Sequence, residues 1–260
     1  MTMLSIGSDF EVMLKRGNKY VSVEGLIGGT KRKPVWYEHG NLQEDNVLAE
    51  SAILPCYNKD EFISRMQAMN GLLYSMAEQH NVKIATNASG SYDEEMLATK
   101  QAQEFGCDKD FNAYTEMEQP SPNANTSIRS AGGHVHIGVE DTSIPYMLRL
   151  AKAMDAYVAV PLMLICGKQQ RHEEVQRRSL YGQAGSFRLK EYGIEYRALS
   201  NYWTFDDNLI SFVYEATERA VEFAFHTNQD IDSDKTIPVI NNGDPVDLDY
   251  FYTLPGWSEV

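Results

Sequence analysis

The stretch RSAGGHVHIGVE, residues 129–140, has the small and β-branched residues of a buried strand but carries two histidines. His134 and His136 are two residues apart. Alternate side chains of a strand point to the same face, so both imidazoles share one face. Two glycines precede the pair and let the backbone turn or approach another group closely. The pair indicates a metal site, a phosphate site or a satisfied core pair, and the stretch alone leaves all three open.

The sequence on both sides of this stretch contains segments with strand-like alternation of apolar residues. Segments with helix-like spacing of apolar residues lie between them. The predicted strands are residues 4–14, 19–25, 34–40, 45–54, 82–86, 127–139, 186–190 and 193–200. The predicted helices are 59–80, 144–166 with a kink or break at Pro161, and 209–225, while 168–178 is a polar helix or loop. Strands arrive in clusters and outnumber crossover helices, which favours an α+β fold with a largely antiparallel sheet. We expect one domain over residues 1–260, with a mostly irregular tail after about residue 228.

Composition limits the classes of partner. The 260 residues are 43% hydrophobic, enough for a sizeable core, and their formal net charge of −14 disfavours nucleic acid and anionic membranes. Three widely spaced cysteines without a CxxC motif predict reduced thiols rather than a zinc knuckle or a disulfide framework. The N-terminus does not read as a signal peptide, and the longest apolar stretch, 156–166, is too short to span a bilayer. We therefore expect a cytoplasmic protein.

Charged residues inside apolar strands are informative because a buried charge must be paired or bound to a metal. Asp9 and Glu11 share one face of a predicted strand, and Glu195 and Arg197 share one face of another. Glu50 interrupts a third apolar run. Each case also has a plainer interpretation: a solvated strand face, an edge strand, or a surface ion pair worth roughly 0–1 kcal/mol.

Together these residues form a pattern. A curved sheet can gather them on one concave face, where carboxylates and an imidazole would hold Mg²⁺ or Mn²⁺. Arginines near Glu195 would hold phosphates, because guanidinium forks match phosphate oxygens. This basic cluster comprises Arg171, Arg177, Arg178, Arg188 and Lys190. The pattern predicts an ATP and divalent-metal site without a P-loop, since the sequence has neither GxxxxGK(S/T) nor GxGxxG.

The blocks that carry these residues resemble those of a known family. They are SDFEVML, LIGGTK, EDNVLAES, FGCDKDFNAY, SIRSAGGHVHIGV and RRSLYGQAGSFRLKEYGIEYRALSNYW, in order between Leu4 and Trp203. They look like the phage-type carboxylate–amine ligases (amidoligases) of the glutamine synthetase and glutamate–cysteine ligase superfamily. The resemblance implies a curved antiparallel sheet that forms a catalytic funnel, with helices packed on its outer face. ATP would enter one end and the acceptor the other.

The resemblance also implies roles for individual residues. The implied metal ligands are Asp9, Glu11, Glu50, His134 and Glu195, with Asp45 as a further acid of the second block. The implied ATP and phosphate contacts are His136, Arg177, Arg178, Arg188 and Arg197. The implied catalytic residues are Arg188, Glu195 and Arg197. Asp9 stands where the superfamily carries the longer glutamate.

The implied activity is ATP-dependent amide or peptide bond formation through an acyl phosphate. ATP and Mg²⁺, or Mn²⁺, would be the cofactors, and small-molecule or peptide carboxylates and amines the substrates. A second hypothesis is an ATP-dependent kinase of the same fold that phosphorylates a guanidino nitrogen or a carboxylate. A metal-dependent hydrolase would instead bind zinc through the HxH pair, and a non-catalytic phage protein would keep only the scaffold. If the protein is phage-encoded, its location would be the host cytoplasm.

Overall fold

Strand β1 lies at the centre of the sheet that carries the polar residues. The structure is a computed structural model and describes residues 4–103, 110–119 and 127–259. The strands are β1 Ser5–Arg16, β2 Lys19–Val21, β3 Val35–Tyr37, β4 Gly40–Asp45, β5 Leu48–Ile53, β6 Lys83–Ala85, β7 Ser89–Ser91, β8 Phe111–Asn112, β9 Met117–Glu118, β10 Ile128–Ser130, β11 Gly133–Gly138, β12 Ser186–Lys190 and β13 Gly193–Tyr196. The helices are α1 Lys59–Gln79, α2 Lys100–Gln103, α3 Ile144–Met154, α4 Val160–Ile165, α5 Lys168–Arg178, α6 Asp207–His226, α7 Ser233–Asn242 and α8 Leu248–Phe251.

The sheet is open, and its strands are ordered β3-β4-β5-β1-β11-β13-β12-β8-β9. Strands β2 and β6 also pair with β1, and β7 and β10 form a separate two-stranded sheet. Every pair of named strands in the described part of the chain is antiparallel. The predicted α+β fold with a largely antiparallel sheet is therefore confirmed.

The two faces of the sheet differ in polarity. On β1, Phe10 and Val12 are fully buried and belong to the same apolar core as Phe62 of α1. Helices α1 and α3 pack on this apolar face, and α6 packs on both helices. Asp9 and Glu11 alternate with these core residues and so point to the opposite face, which we call the polar face. Helices on one face therefore leave the other free to form a site.

The stretch 127–139 forms two strands rather than the single predicted strand. Strand β10 pairs with β7, whereas β11 pairs with β1 and β13. The chain between them passes close to the loop after β13: a Cβ on Gly133 would lie 2.5 Å from the Ser200 carbonyl oxygen and 2.7 Å from Trp203 Nε1. The prediction of one continuous strand was therefore wrong between β10 and β11. The strand is interrupted where the loop after β13 comes close to its backbone, and only the tertiary structure creates that contact.

Residues 34–54 form three strands where two were predicted. The additional strand, β4, has the polar sequence GNLQED and pairs with β3 and β5. Its Leu42 belongs to the core, while Gln43 and Glu44 are buried by their neighbours. Apolar alternation could not reveal this strand because its burial comes from hydrogen-bonded polar groups.

Residues 144–165 are helical throughout, and the irregularity of this segment lies before Pro161. A π-helical turn, residues Asp155–Ala159, joins α3 to α4, and Pro161 occupies the first turn of α4. A proline lacks the N–H and crowds the carbonyl four residues earlier, and a widened turn accommodates both effects. The turn buries Asp155, whose Oδ1 accepts a 2.5 Å hydrogen bond from the Tyr196 hydroxyl of β13.

The tail after residue 228 is not mostly irregular, so that prediction was wrong. Helix α7 begins after Asp232, whose side chain accepts from the Asp234 amide, and it ends at Gly243, whose φ is +72°. Tyr157 of the π-helical turn donates to the Pro255 carbonyl at 2.6 Å, and Trp257 donates to the Ala156 carbonyl at 2.9 Å. These contacts bury the tail against the core, and the capping residues Asp232 and Gly243 are visible in the sequence.

Two further expectations concern thiols and membranes. Cys56 and Cys166 are free thiols, and Cys107 lies outside the described residues. Among the helices that the structure describes, none combines the length and apolarity needed to cross a bilayer.

We expect Asp155→Asn to change how stability depends on pH. Burial raises the pKa of Asp155 to about 7, against the hydrogen bond from Tyr196, which lowers it. The folded protein therefore holds a proton that the unfolded chain releases near pH 4, and this stabilising contribution is lost as the pH rises from about 4 through 7. From pH 5 to pH 8, the free energy of unfolding of Asp155→Asn should rise by about 2 kcal/mol relative to that of wild type.

Urea unfolding at several pH values measures this difference. Asp230→Asn makes the same charge change at an exposed position and serves as the matched control. A difference between Asp155→Asn and wild type that stays constant with pH would show that Asp155 is ionised throughout this range.

Candidate active site

The register of the sheet brings polar residues from five strands together on the polar face. The opposed residues are Asp9 and His134, His136 and Glu195, Glu195 and Arg188, and Glu11 and Glu50. Directly opposed side chains of an antiparallel pair have Cβ atoms about 5 Å apart. Groups far apart in sequence therefore interact as neighbours.

A cavity on the polar face contains most of the predicted site residues. It encloses about 1060 Å³ of empty space, part of which is open to solvent. The predicted residues that line it are Asp9, Glu11, Asp45, Glu50, His134, Arg177, Arg188, Glu195 and Arg197. Arg178 is not among its lining residues: this buried side chain pairs with Glu174 at 3.1 Å on α5. His136 contacts Asp9 beside the cavity.

Three side chains form a group that can hold a metal ion. Ligand atoms of Asp9, His136 and Glu195 all lie within 4.8 Å of one another. His136 Nε2 is 3.3 Å from Asp9 Oδ2, and its Nδ1 is 2.5 Å from the Tyr192 hydroxyl, which orients the ring. Burial opposes ionisation of Asp9, but the charges of His136 and His134 hold its pKa well below the usual range. Ionised carboxylates beside one imidazole suit Mg²⁺ or Mn²⁺.

His134 also lies beside these carboxylates, with its Nδ1 3.7 Å from Glu195 Oε1. Its Nδ1 lies 2.8 Å from Asp9 Oδ1 and 3.1 Å from an Arg197 nitrogen, so this atom is engaged by protein groups. Its Nε2 faces the backbone of Gly132, where a Cβ would lie only 2.3 Å away. Burial and the charge of Arg197 lower the pKa of His134, against the charge of Asp9, which raises it. The spacing of ligand atoms groups His136 with the two carboxylates, while the metal-ligand role implied for His134 stays a prediction.

Glu195 is the most tightly held carboxylate of the polar face. It is 2% exposed, and its Oε2 lies 2.6 Å from Lys190 Nζ. Its Oε1 accepts a short hydrogen bond from Arg197 and lies 3.6 Å from an Arg188 nitrogen. Burial and the charge of Asp9 raise its pKa, but Arg197 and the two histidines outweigh them and lower it to about 2. Glu195 is therefore ionised at neutral pH.

Glu11 and Glu50 form a second acidic pair across β1 and β5. Glu11 accepts from the Gly132 amide at 2.7 Å, and Glu50 accepts from Gln43 at 2.6 Å. Burial and the charge of Asp45 raise the pKa of Glu11 to about 7, and burial and the charge of Asp9 raise that of Glu50 well above its usual value. A cation between these two opposed, half-buried carboxylates would offset their repulsion when both are ionised, so the pair suits a second divalent ion.

Asp110 joins two of the predicted arginines. Its Oδ1 lies 2.9 Å from Nε of Arg188 and 2.9 Å from Nε of Arg197. Asp110 is 7% exposed, so these are largely desolvated ion pairs. One buried carboxylate thereby holds two guanidinium groups side by side at the cavity wall, despite their mutual repulsion.

Arg177 reaches the cavity from α5. Its two terminal nitrogens donate to the carbonyls of Ala198 and Arg197 at 3.0 and 3.3 Å, so it supports the chain after β13. Its Nε has no hydrogen-bond partner although it is buried. Burial and the charge of Arg178 lower the pKa of Arg177 to about 9. Of the two neighbouring arginines, Arg177 is the one that lines the cavity, and its terminal nitrogens are engaged by backbone carbonyls.

Asp110 and Tyr192 were not among the site residues predicted from the sequence, and Lys190 was predicted only as a member of the basic cluster. Lys190 is two residues after Arg188 on β12, so the same-face rule could also have placed it beside Arg188 and Glu195. Tyr192 lies in the turn after β12, and Asp110 directly precedes the two-residue strand β8, so neither has a strand pattern to read. Of the block FGCDKDFNAY, only Asp110 and the residues after it are described.

Comparison with known proteins agrees with the resemblance seen in the sequence blocks. Residues 113–231 match the model of a family described as phage phiEco32-like COOH.NH2 ligase-type 2. The resemblance to the phage-type carboxylate–amine ligases is therefore confirmed over these residues. The matched segment contains His134, His136, Arg188, Glu195 and Arg197.

A crystal structure described as a novel glutamine synthase homolog aligns with 98% of this chain at 11% sequence identity and a TM-score of 0.42. The chain spans 64% of the length of that structure's chain. No curated protein matches the sequence.

We expect Asp110→Ala to destabilise the protein strongly. Removing this carboxylate leaves Arg188 and Arg197, whose side chains are 15% and 11% exposed, without their shared partner. The free energy of unfolding should fall by about 3 kcal/mol, as is typical when one partner of a buried ion pair is removed. Denaturant unfolding measures the change.

Asp93→Ala provides the matched control, because Asp93 forms an ion pair with Lys19 at an exposed position. Its effect should be much smaller. Equal losses in the two variants would mean that Asp110 contributes no more than a surface ion pair.

Proposed function

We propose that this protein is an ATP-dependent carboxylate–amine ligase that forms an amide or peptide bond through an acyl phosphate. The observation that carries the proposal is the charge of the cavity. Six basic residues line it beside five acidic ones, in a chain of net charge −14; the basic residues are Lys31, Arg129, Arg177, Arg188, Lys190 and Arg197. A cavity that combines clustered basic residues with metal-ligating carboxylates suits a polyanion that enters with divalent cations, and nucleoside triphosphates have this character.

We assign the metal ligands in two groups. Asp9, His136 and Glu195 would hold one divalent cation, and Glu11 and Glu50 a second, while His134 would orient Asp9. Cations at these ligands would offset the negative charge of the triphosphate and of the substrate carboxylate. This assignment exchanges the roles of the two histidines that the resemblance implied.

The arginines would bind the transferred phosphoryl group. The guanidinium groups of Arg188 and Arg197 stand side by side on Asp110, and Arg177 approaches the cavity from α5. Guanidinium groups held in place before the reaction stabilise charge on the equatorial phosphoryl oxygens without further reorganisation. We therefore propose Arg188, Glu195 and Arg197 as the catalytic residues.

The proposed reaction has two steps. In the first, a carboxylate oxygen of the substrate attacks the γ-phosphorus of ATP, the bond to the β-phosphate oxygen breaks, and ADP leaves. In the second, a neutral amine attacks the acyl carbon, the C–O bond to the phosphoryl group breaks, and inorganic phosphate leaves as the amine nitrogen loses its proton. The products are an amide, ADP and phosphate. The substrates would be small molecules or peptides, and the polar face would form the catalytic funnel.

The remaining expectations are also proposals. We propose a single domain over residues 1–260, because one apolar core includes residues from Ile6 to Trp257. We propose the cytoplasm as the location, and the host cytoplasm if the protein is phage-encoded.

The proposal is tested by incubating the protein with ATP, Mg²⁺ and panels of amino acids and peptides. ADP release and mass spectrometry should reveal an amide product. Glu195→Gln removes the charge of a proposed metal ligand and catalytic residue, and kcat/KM should fall by at least about 100-fold. Glu215→Gln, at an exposed ion pair with Lys59, should leave it unchanged.

Other outcomes would overturn parts of the proposal. A stable phosphorylated product without an amide would identify a kinase instead. Full ADP release by Glu195→Gln would refute the assignment of the site. Failure of wild type to bind MgATP by calorimetry would refute ATP-dependent catalysis altogether.

A further inference from the structure

Lys190 holds a carboxylate that we assign to a metal ion. Its ammonium nitrogen is 2.6 Å from Glu195 Oε2, and its side chain lines the cavity. The other Glu195 oxygen accepts from Arg197. Both oxygens of Glu195 therefore contact cationic groups of the protein, and a divalent cation that coordinates Glu195 is repelled by these neighbouring positive charges unless one of them moves away.

Lys190 and Arg197 differ in how firmly the protein holds their side chains. Arg197 is 11% exposed, and its Nε is also paired with Asp110. Lys190 is 31% exposed, and its one ion pair among the described residues is with Glu195. A lysine carries its charge on a flexible four-carbon chain, whereas a guanidinium held at two points cannot turn without losing both contacts. Lys190 is therefore the group that can leave Glu195.

We propose that Lys190 and a divalent cation compete for Glu195, and that the displaced ammonium group turns to the phosphates of the bound nucleotide. This inference rests on the proposed function and adds a residue to its phosphate site. Arg188 is two positions away on the same strand and lines the same cavity, so a small rotation keeps the Lys190 charge on that wall. Metal binding at Glu195 would therefore strengthen the binding of the nucleotide phosphates, because it releases Lys190 toward them.

The arrangement has a physical advantage. An ionised carboxylate that is 2% exposed is costly without a cation, and Lys190 offsets that cost before the metal binds. Once the metal has taken over this role, the ammonium group becomes available in a cavity that receives a polyanion. Lys190 thus pairs first with Glu195 and then with the phosphates of the bound nucleotide.

The experiment compares Lys190→Met with wild type in two binding measurements that do not depend on catalysis. Free Mn²⁺ is followed by electron paramagnetic resonance to obtain the Mn²⁺ affinity without nucleotide. A non-hydrolysable ATP analogue is then titrated by calorimetry at saturating Mn²⁺. We expect Lys190→Met to bind Mn²⁺ roughly tenfold more tightly and the analogue roughly tenfold more weakly.

Two further variants control the comparison. Lys235→Met removes one positive charge from an exposed ion pair with Asp247 and reports the general effect of net charge on Mn²⁺ binding. Lys190→Arg keeps the charge and should return both affinities toward wild type. Thermal unfolding checks that each variant is folded, and changes of opposite sign in the two affinities cannot arise from a loss of structure alone.

The outcomes separate this inference from the proposed function. If Lys190→Met leaves Mn²⁺ affinity unchanged or weakens it while wild type binds both ligands, competition is refuted and the proposed function stands. If Mn²⁺ affinity rises but analogue affinity does not fall, the second role of Lys190 is refuted. If wild type binds neither Mn²⁺ nor the analogue, both the proposed function and the inference are refuted.

Discussion

The negative charge of Glu195 governs the arrangement of the polar face. A carboxylate that is 2% exposed stays ionised only where cations stand close to it, and Lys190 and Arg197 contact its two oxygens. Arg197 and Arg188 in turn share Asp110, which keeps two positive charges together. The network alternates in sign from one side chain to the next. Each of its buried charges is therefore compensated by a neighbour on another strand or loop.

This network requires strands that do not move relative to one another. Strand β13 carries Glu195 on the polar face and Tyr196 on the core face, and Tyr196 donates to Asp155 of the π-helical turn. The same strand is therefore held by ion pairs on one side and by a buried hydrogen bond on the other. Gly132 adds a steric limit, because it leaves room for the His134 ring but none for a Cβ. Packing on the core face of the sheet thus sets the geometry of the side chains on the polar face.

Sequence patterns predicted the elements whose burial follows from apolar alternation. Strand β1, helix α1 and the β12–β13 hairpin lie close to their predicted positions. Strand β4 was missed because its buried residues include polar groups, and α7 was missed because its internal Pro238 and the Asn and Gly residues at its end are typical of irregular segments. Asp110 stayed outside the predicted site because it is isolated in sequence from the arginines that it joins.

The sequence by itself determined which residues share a face. A period of two along each strand placed Asp9 with Glu11, His134 with His136, and Glu195 with Arg197, whatever the strands pair with. Only the tertiary structure decided which of these residues meet. Register between strands distant in sequence set Asp9 against His134 and Glu195 against His136, and the missing side chain of Gly132 leaves room for the His134 ring. The reason is that alternation is a local property of one chain segment, whereas distances between strands depend on the packing of the whole sheet.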